Sequence, residues 1–387
     1  MNLDLTSAQQ DAQAACRAFA DEVVMPYADD YDRQERIPAD VIAQLAQRNY
    51  LGAVLPQEFG GLGSDMITFG LLNAELGRAC SSIRSLLTVH SMVSHAILRW
   101  GNQQHKQEWL PRLASGQSLA AFALTEPNVG SDATQIETTA ERRGDTYILT
   151  GRKKWITFGQ IADLFLVFAQ CNAKPSAFLV ERTRPGLTTT PIGGMLGTRA
   201  SMLAEVHLDA CEVPKANLLG GLGFGVSAVA LSALDLGRYS VAWGCVGIGQ
   251  ACLEASLAYA SERKQFGALL KQHQLIQELI ANMVTQVKAA RLLSYHAGLL
   301  KDRSDPGATA ETLVAKYFAS TMAARVASDA VQIHGGNGCG SEYPVQRYLR
   351  DAKVMEIIEG SNQMQQIMIS QHAFAAHSEH TSASRSR

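Results

Sequence analysis

The spacing of apolar residues divides this chain of 387 residues into two helical zones on either side of a zone of short strands. Apolar residues recur at intervals of three and four in both outer zones, and this spacing predicts amphipathic α-helices. The predicted helices span 6–25, 39–50 and 86–100 in the first zone, and 226–260, 273–301 and 308–334 in the third.

The central zone carries short apolar runs separated by turn residues such as Arg184-Pro185-Gly186. Because helices precede and follow the strands and do not alternate with them, we expect an α+β fold with an antiparallel sheet. The expected domains are 1–116 (helical), 117–226 (β) and 227–376 (helical), followed by a disordered tail at 377–387. The predicted strands are Ala120–Thr125, Tyr147–Leu149, Leu164–Ala169, Ala177–Val180 and Ala204–Leu208.

Composition excludes several classes of protein. The net charge is −2, so no nucleic acid partner is expected. The seven cysteines are scattered and form no C-x-x-C pair, so we expect neither disulfides nor zinc, and no histidine motif predicts a metal site. No leader and no apolar run of membrane-spanning length is found, which predicts a cytoplasmic protein without a membrane partner. The glycine-rich segments complete neither G-x-G-x-x-G nor a P-loop.

Two segments of the central zone could hold a planar cofactor. Phe122–Asp132 follows a strand and offers hydroxyls, backbone N–H groups and a glycine, which can cradle a polar ring edge or a phosphate. Trp155-Ile156-Thr157 sets an aromatic face beside a hydroxyl donor. An ordinary turn and a core tryptophan explain the same residues equally well.

Two segments of the third zone carry charged groups. Arg263 follows a helix and can pair with a pyrophosphate or serve as part of a helix cap. In Ile357-Ile358-Glu359-Gly360, the apolar setting raises the pKa of the glutamate and makes it a better base, and the glycine frees a backbone N–H. The alternative is a solvated glutamate at a helix end.

Taken together and in this order, these segments resemble the acyl-CoA dehydrogenase family over about residues 5–375. The family fold implies an N-terminal helical domain, a middle antiparallel β domain and a C-terminal four-helix bundle. Two positions depart from the family pattern, Phe158, which we expect to pack in the interior, and His334. The motifs are Leu124-Thr-Glu-Pro-x-x-Gly-Ser-Asp132, Trp155-Ile-Thr157, Glu262-Arg-Lys-Gln-Phe-Gly267, Gly335-Gly-Asn-Gly338 and Glu359-Gly360.

The resemblance implies FAD as the cofactor. It also implies a homodimer or homotetramer, since part of each flavin site in the family comes from a neighbouring subunit. The residues implied to contact FAD are Phe122, Leu124, Thr125, Gly130, Ser131, Trp155, Ile156, Thr157, Arg263, Gln265, Gln274, Gln332, Gly335, Gly336, Ser361 and Gln363.

The implied reaction is α,β-dehydrogenation of an acyl thioester. Glu359 would take the α-proton, the β-hydride would pass to the flavin N5, and an electron-transfer flavoprotein would accept the electrons. The backbone N–H of Glu359 and a flavin ribityl hydroxyl would polarise the carbonyl group. Ser131, Asp235, Arg238 and Gly360 are implied to lie beside the substrate.

The acyl group is less constrained by the sequence. Arg84 lies in a segment that resembles glutaryl-CoA dehydrogenase, where the matching arginine meets a distal carboxylate, although Gly77 stands where that enzyme has a glutamate. A short acyl group with a polar or acidic end is therefore expected, and a structural ion pair or a helix-surface position is the alternative role for Arg84.

Coenzyme A is the expected carrier, with an acyl carrier protein of a biosynthetic pathway as the alternative. Basic residues could serve either carrier or be solvated loop charges. A flavin acyl-CoA oxidase is less favoured, because such enzymes usually carry an extra C-terminal domain. The basic residues are Arg142, Arg143, Arg152, Lys153 and Lys154.

Overall fold

A computed structural model describes residues 4–385 of the chain, with an N-terminal domain made of helices. Three of them, α2, α4 and α6, are not predicted by apolar spacing, and α2 has only 7 residues. Helix α4 is buried on nearly every face and therefore lacks a one-sided pattern, and α6 is largely polar. The helices are α1 (Ser7–Phe19), α2 (Ala28–Gln34), α3 (Ala39–Gln47), α4 (Met66–Ala79), α5 (Ser81–Trp100) and α6 (Gln103–Ala114).

The middle domain is a single eight-stranded sheet in the order β6-β7-β3-β2-β4-β5-β8, with β1 beside β4. The sheet is mixed, because β1 pairs with β4 in parallel, which corrects the expectation of an antiparallel sheet. The chain passes through β2 and β3 before it returns beside β1. The strands are β1 (Ala120–Ala123), β2 (Thr139–Arg143), β3 (Thr146–Ile156), β4 (Leu164–Cys171), β5 (Lys174–Glu181), β6 (Leu187–Pro191), β7 (Ala204–Pro214) and β8 (Leu218–Leu219).

The C-terminal domain is helical, with α7 at its centre, packed on α4, α5, α8 and α9. A two-stranded hairpin, β9–β10, joins α7 to α8. The elements are α7 (Leu231–Glu262), β9 (Lys264–Gln265), β10 (Ala268–Leu269), α8 (Gln274–Asp302), α9 (Ala308–His334), α10 (Val345–Met355) and α11 (Asn362–Arg385).

Two expectations about these helices need revision. The segment Gly225–Glu262 is apolar and long enough to cross a membrane, but 72% of its most apolar window is buried by neighbouring elements, as expected of a core helix. Helix α11 continues to Arg385, through most of the segment 377–387 expected to be a disordered tail. The last two residues of that segment lie outside the described part.

Glycines allow α4 and α7 to cross at close range. A Cβ atom at Gly77 would stand 2.9 Å from the backbone of Gly244, and one at Gly70 would collide with the indole of Trp243. The helix backbones therefore nearly touch where the glutaryl-CoA dehydrogenase pattern has a glutamate. Packing at this crossing leaves no room for a side chain at position 77.

A loop of the middle domain joins all three domains. Thr198 N donates a hydrogen bond of 2.6 Å to Asp351 of α10, and Arg199 pairs with Glu35, beyond α2, at 2.6 Å. The same loop accepts a hydrogen bond of 2.9 Å from Phe158 N through Ser201 O. The loop therefore links the Trp155–Phe158 segment to the helix that leads to Glu359.

Candidate active site

Glu359 lies in the turn between α10 and α11, in a strained backbone conformation. Its φ is 55°, and Gly360 follows with a φ of 86°. A left-handed conformation is unfavourable for glutamate and persists only where the surrounding structure enforces it. Within the described residues, the backbone N–H groups of Glu359, Gly360 and Ser361 have no acceptor. Successive free N–H groups of this kind can bind an oxyanion.

The carboxyl group of Glu359 is buried against Gly237 of α7. A Cβ atom at position 237 would stand 2.5 Å from Oε2, and Oε2 has no hydrogen-bond partner within the described chain. Burial raises the pKa of Glu359 to about 7, against the opposing attraction of Arg238, Arg84 and Lys316. A carboxyl group with a free oxygen and a near-neutral pKa is suited to accept a proton.

Three side chains donate hydrogen bonds to the carbonyl groups of Glu359 and Gly360. Arg238 Nε donates to Glu359 O at 3.1 Å. Gln365 Nε2 donates to Glu359 O at 3.2 Å and to Gly360 O at 2.9 Å, and Lys316 Nζ donates to Gly360 O at 2.9 Å. These bonds turn both carbonyls toward α7, α9 and α11. They fix the strained turn from the side of the C-terminal helices.

Sequence reasoning missed Lys316 and Gln365. Both are fully buried, although lysine and glutamine are usually exposed. The available signal in the sequence was a single lysine inside the otherwise apolar run 313–319 of a predicted helix. Nothing in the local pattern points from that lysine to a turn more than forty residues away along the chain.

Arg84 is fully buried and has no carboxylate partner within the described residues. Its guanidinium donates to Thr88 Oγ1 at 3.0 Å, to Ser85 Oγ at 3.2 Å and to Met355 Sδ at 3.2 Å, and its Nε is unpaired. A Cβ atom at Gly244 would stand 2.9 Å from Arg84 Nε. The helix-surface and ion-pair alternatives for Arg84 are therefore wrong.

A chain of hydrogen bonds holds Thr88, which accepts a hydrogen bond from Arg84. Thr88 Oγ1 lies 2.5 Å from Ser240 Oγ, which in turn lies 2.5 Å from Asn73 Oδ1. Asn73 donates through Nδ2 to Phe69 O at 2.8 Å, which fixes the orientation of its amide. Helices α4, α5 and α7 thus hold Arg84 in one position through polar contacts.

The other predicted substrate residues lie in different surroundings in the structure. Arg238 and Gly360 lie beside Glu359, as described above. Asp235 forms an ion pair with Lys301, and its second oxygen is buried without a partner in the described residues. Ser131 belongs to the exposed loop after β1. Its position relative to Glu359 stays a prediction.

The Trp155–Thr157 segment presents an aromatic surface at the end of β3. Trp155 has a φ of 61°, and its side chain is 45% exposed between the buried Lys153 and Ile156. Phe158 is fully buried, which confirms that it packs in the interior. A strained backbone that holds a large aromatic ring exposed is typical of a binding site.

A buried ion pair supports the loop that follows β1. Lys153 Nζ donates to Glu126 Oε1 at 2.6 Å and to Leu124 O at 3.2 Å, and Glu126 also accepts from Thr138 N at 2.9 Å. Farther along this loop, the N–H groups of Gly130 and Ser131 have no acceptor within the described residues. The loop is therefore anchored at its start and offers free donors at its tip.

Each of the five basic residues considered for carrier binding has a partner within the described chain. Lys153 is buried in the ion pair with Glu126, so it is neither solvated nor available to a phosphate or a carrier protein. The others are paired or bonded nearby: Arg143 with Glu141 (3.0 Å), Lys154 with Glu205 (3.3 Å), Arg152 with Glu205 (3.8 Å) and Arg142 with Gly144 O (3.2 Å).

Six of the predicted cofactor residues, called the second group below, lie just after α7, at the start of α8, and at or just after the end of α9. Tyr259 joins its two parts, because its ring stacks on His334 at 4.3 Å and its hydroxyl accepts from Asn337 Nδ2 at 2.9 Å. Phe266, at the tip of the β9–β10 hairpin, is 98% exposed. Every member of the second group is exposed: Arg263, Gln265, Gln274, Gln332, Gly335 and Gly336.

Two predicted cofactor residues follow the base directly. Ser361 Oγ accepts a hydrogen bond from Met364 N at 3.4 Å, and Gln363 is exposed on the first turn of α11. Both therefore lie within four residues of Glu359 along the chain. The remaining ones, Phe122, Leu124 and Thr125, are partly or fully buried at the end of β1.

Comparison with known proteins covers almost the whole chain. The models for the acyl-CoA dehydrogenase N-terminal, middle and C-terminal domains match residues 6–117, 121–211 and 225–374. An acyl-CoA dehydrogenase of Bacillus subtilis (strain 168) is 39% identical over 376 residues, which cover 96% of this chain and 99% of that protein.

Solved structures agree. Butyryl-CoA dehydrogenase from Megasphaera elsdenii matches with a TM-score of 0.93 and 34% identity, covering 97% of this chain and 100% of that one. A glutaryl-CoA dehydrogenase from Mycobacterium smegmatis in complex with FADH2 matches with a TM-score of 0.91 and 31% identity, covering 95% of each chain. The prolyl acyl carrier protein oxidase AnaB matches with a TM-score of 0.91 and 28% identity, covering 96% and 100%.

The three family matches and the relatives named acyl-CoA dehydrogenase define an oxidoreductase of the flavoprotein class. The chain belongs to the acyl-CoA dehydrogenase family.

Proposed function

We propose that this protein is an FAD-dependent dehydrogenase that oxidises the α,β-bond of a short acyl thioester, with Glu359 as the base. The observation that carries the proposal is the carboxyl group of Glu359. Its Oε2 atom is buried without a hydrogen-bond partner in the described chain, and the residue lies in a strained turn. The free N–H groups of the same turn supply the second element that the reaction needs, a site for a developing oxyanion.

The residues around Trp155 fit the requirements of a flavin. An exposed indole ring, the hydroxyls of Thr125 and Thr157, and the free N–H groups of Gly130 and Ser131 could receive a planar, polar ring system and its side chain. When bound, FAD supplies the acceptor for the β-hydride. Arg263 and the other exposed members of the second group would hold the adenine half of the cofactor in an assembled oligomer.

Glu359 would take the α-proton in its ionised form. Arg238, Arg84 and Lys316 favour that form, and burial favours the neutral form that follows proton transfer. These opposing effects keep the pKa near 7, so the group can exist in both states at neutral pH. Gly237 leaves the space that the carboxyl occupies.

The backbone of the turn formed by Glu359, Gly360 and Ser361, called the catalytic turn below, would polarise the thioester. The α-proton of a thioester is a weak acid, so removal requires stabilisation of negative charge on the carbonyl oxygen. The N–H of Glu359 is free to donate, and the carbonyls of residues 359 and 360 are held on the opposite side by Arg238, Gln365 and Lys316.

We propose that the acyl group is short and carries a polar or acidic end that meets Arg84. A buried guanidinium without a carboxylate partner is costly unless a ligand supplies the compensating charge. Arg84 and Glu359 interact electrostatically across the same region. The absence of a side chain at Gly77 means that Arg84 alone would select the charge of the acyl end.

Coenzyme A is the proposed carrier, with a carrier protein as the alternative. The basic residues near β2 and β3 are paired with glutamates or bonded locally, so they do not favour an acidic carrier-protein surface. We further propose a homodimer or homotetramer, an electron-transfer flavoprotein as acceptor and a cytoplasmic location.

Anaerobic bleaching of the flavin by a panel of thioesters tests the proposal. The panel pairs butyryl, hydroxylated and glutaryl groups, each on coenzyme A and on a carrier protein. We expect rapid bleaching by a coenzyme A ester, fastest with the acidic or hydroxylated acyl group. Bleaching only by carrier-protein esters would reject coenzyme A as the carrier, and no bleaching by any ester would reject the function.

A further inference from the structure

The catalytic turn is held by a lysine that has no ion-pair partner in the described chain. Lys316, in the middle of α9, is fully buried. Its Nζ donates to Gly360 O at 2.9 Å and to Asn362 Oδ1 at 3.1 Å, and both acceptors are uncharged. A neutral amide could satisfy them at a lower desolvation cost than a buried cation.

The lysine lies between the two ends of the turn. Asn362 begins α11, and its Oδ1 also accepts from Ser320 Oγ of α9 at 2.8 Å, and its N donates to Glu356 O at 2.9 Å. Lys316 thus connects the carbonyl that follows the base to the first residue of the next helix. Movement of its ammonium group would leave Gln365 Nε2 as the remaining side-chain donor to Gly360 O in the described chain.

The carboxylates that favour the charged form of the Lys316 ammonium group are Glu359 and Glu356. The charged groups that face Glu359 are Arg238 from α7, Arg84 from α5 and Lys316 from α9, and all three favour its carboxylate. Burial lowers the pKa of Lys316 to about 8, and Arg238 lowers it further, whereas Cys245, Glu359 and Glu356 raise it.

We propose that Lys316 is a positioning residue of the proposed reaction, holding the Gly360 carbonyl so that the N–H groups of the turn face the substrate, and placing its charge where it favours ionised Glu359. The proposal rests on the proposed role of Glu359 as the base. It explains why a cation, and not a neutral donor, occupies this buried position.

Two substitutions separate the two roles. Lys316→Gln keeps a donor for Gly360 O and removes the charge, and Lys316→Met removes both. The matched control is Lys353→Gln, which removes a charge from the exposed face of α10, where Lys353 pairs with Glu356. Native oligomeric state and flavin content establish that each variant is folded.

The first readout does not depend on turnover. The infrared band of the protonated Glu359 carboxyl, assigned through its loss in Glu359→Gln, is titrated in the flavin-loaded protein. We expect a midpoint near pH 7 in the wild type and Lys353→Gln, and an upward shift of about one unit in both Lys316 variants, because removal of a buried cation disfavours the carboxylate. An unchanged midpoint in both Lys316 variants would overturn the electrostatic role.

The second readout is the kinetics with the best thioester of the panel. We expect kcat of Lys316→Met to fall by about tenfold or more at a pH above its raised midpoint, with a smaller change in KM, because the turn loses its alignment. Lys316→Gln should recover part of that loss at the same pH. Equal kcat values for Lys316→Met and the wild type there would overturn the positioning role.

The two readouts distinguish failure of this proposal from failure of the proposed function. If the wild type oxidises no thioester, the function fails, yet the infrared titration still decides whether Lys316 controls Glu359. If the wild type is active and neither the midpoint nor kcat responds to the Lys316 variants, only the role of Lys316 is rejected.

Discussion

The turn at residues 359–361 and the second group around Arg263 differ in how far contacts within the chain hold them in place. Glu359 Oε2 is buried, and three side chains from α7, α9 and α11 hold the carbonyl groups of Glu359 and Gly360. Arg263 and the other members of the second group are exposed. The hairpin that follows Arg263 has an almost fully exposed phenylalanine at its tip. The turn that carries Glu359 is therefore fixed by contacts within the chain, whereas the members of the second group are exposed to solvent in it.

The largest expected effect comes from Glu359→Gln, which removes the base and preserves its shape. We expect the rate of flavin bleaching by the best thioester to fall about 10³-fold, because the amide cannot accept the α-proton. Flavin content and oligomeric state should equal those of the wild type, because glutamine preserves the size and shape of the side chain. A rate within threefold of the wild type would exclude Glu359 as the base.

The next effect is on the choice of acyl group. Arg84→Met should lower kcat/KM for an acidic acyl-CoA by about 100-fold, the loss of one buried charge-assisted contact, and leave an apolar acyl-CoA of equal length nearly unchanged. Arg99→Met, on the exposed end of the same helix, is the control. Equal losses for both substrates would show that Arg84 supports the fold without selecting the acyl charge.

Gly237→Ala tests how tightly the base is enclosed. The added methyl group would approach Glu359 Oε2 to 2.5 Å, so the carboxyl must move, and we expect kcat to fall about 10–100-fold. Gly340→Ala is a suitable control, because its nearest contact would be an ordinary 3.8 Å. Full activity of Gly237→Ala would mean that the carboxyl has more freedom than the packing indicates.

Arg263→Ala probes the other region. We expect the dissociation constant for FAD to rise about tenfold, because a cation that can pair with pyrophosphate is lost. Mixed oligomers of Arg263→Ala and Glu359→Gln subunits then decide which subunit Arg263 serves. If it serves a neighbour, some sites in the mixture carry neither defect, and activity at limiting FAD should exceed that of either parent.

The smallest effect is that of pH on the wild type. Burial raises the pKa of Glu359 to about 7, and the ionised form is the active one. The value of kcat/KM should therefore be highest above pH 7, fall to about half at pH 7 and to about one-tenth at pH 6. A profile that stays flat down to pH 5 would contradict the buried environment of the base.

The sequence by itself determined the order of the domains and the family, and it singled out Glu359 as the proposed base. Helical spacing and strand runs are local properties, and motifs such as Glu359-Gly360 are read from adjacent residues. Even so, the sheet was expected to be antiparallel, because nothing in the local pattern of β1 specifies that its partner is β4.

Only the tertiary structure decided which charges are free and which are committed. Lys153, read as an available cation, is buried on Glu126, whereas Arg84 is buried without a carboxylate partner in the described chain. Lys316 reaches the catalytic turn from a helix more than forty residues away. Burial and pairing depend on residues brought together by folding from distant parts of the chain, and a single sequence does not encode those contacts locally.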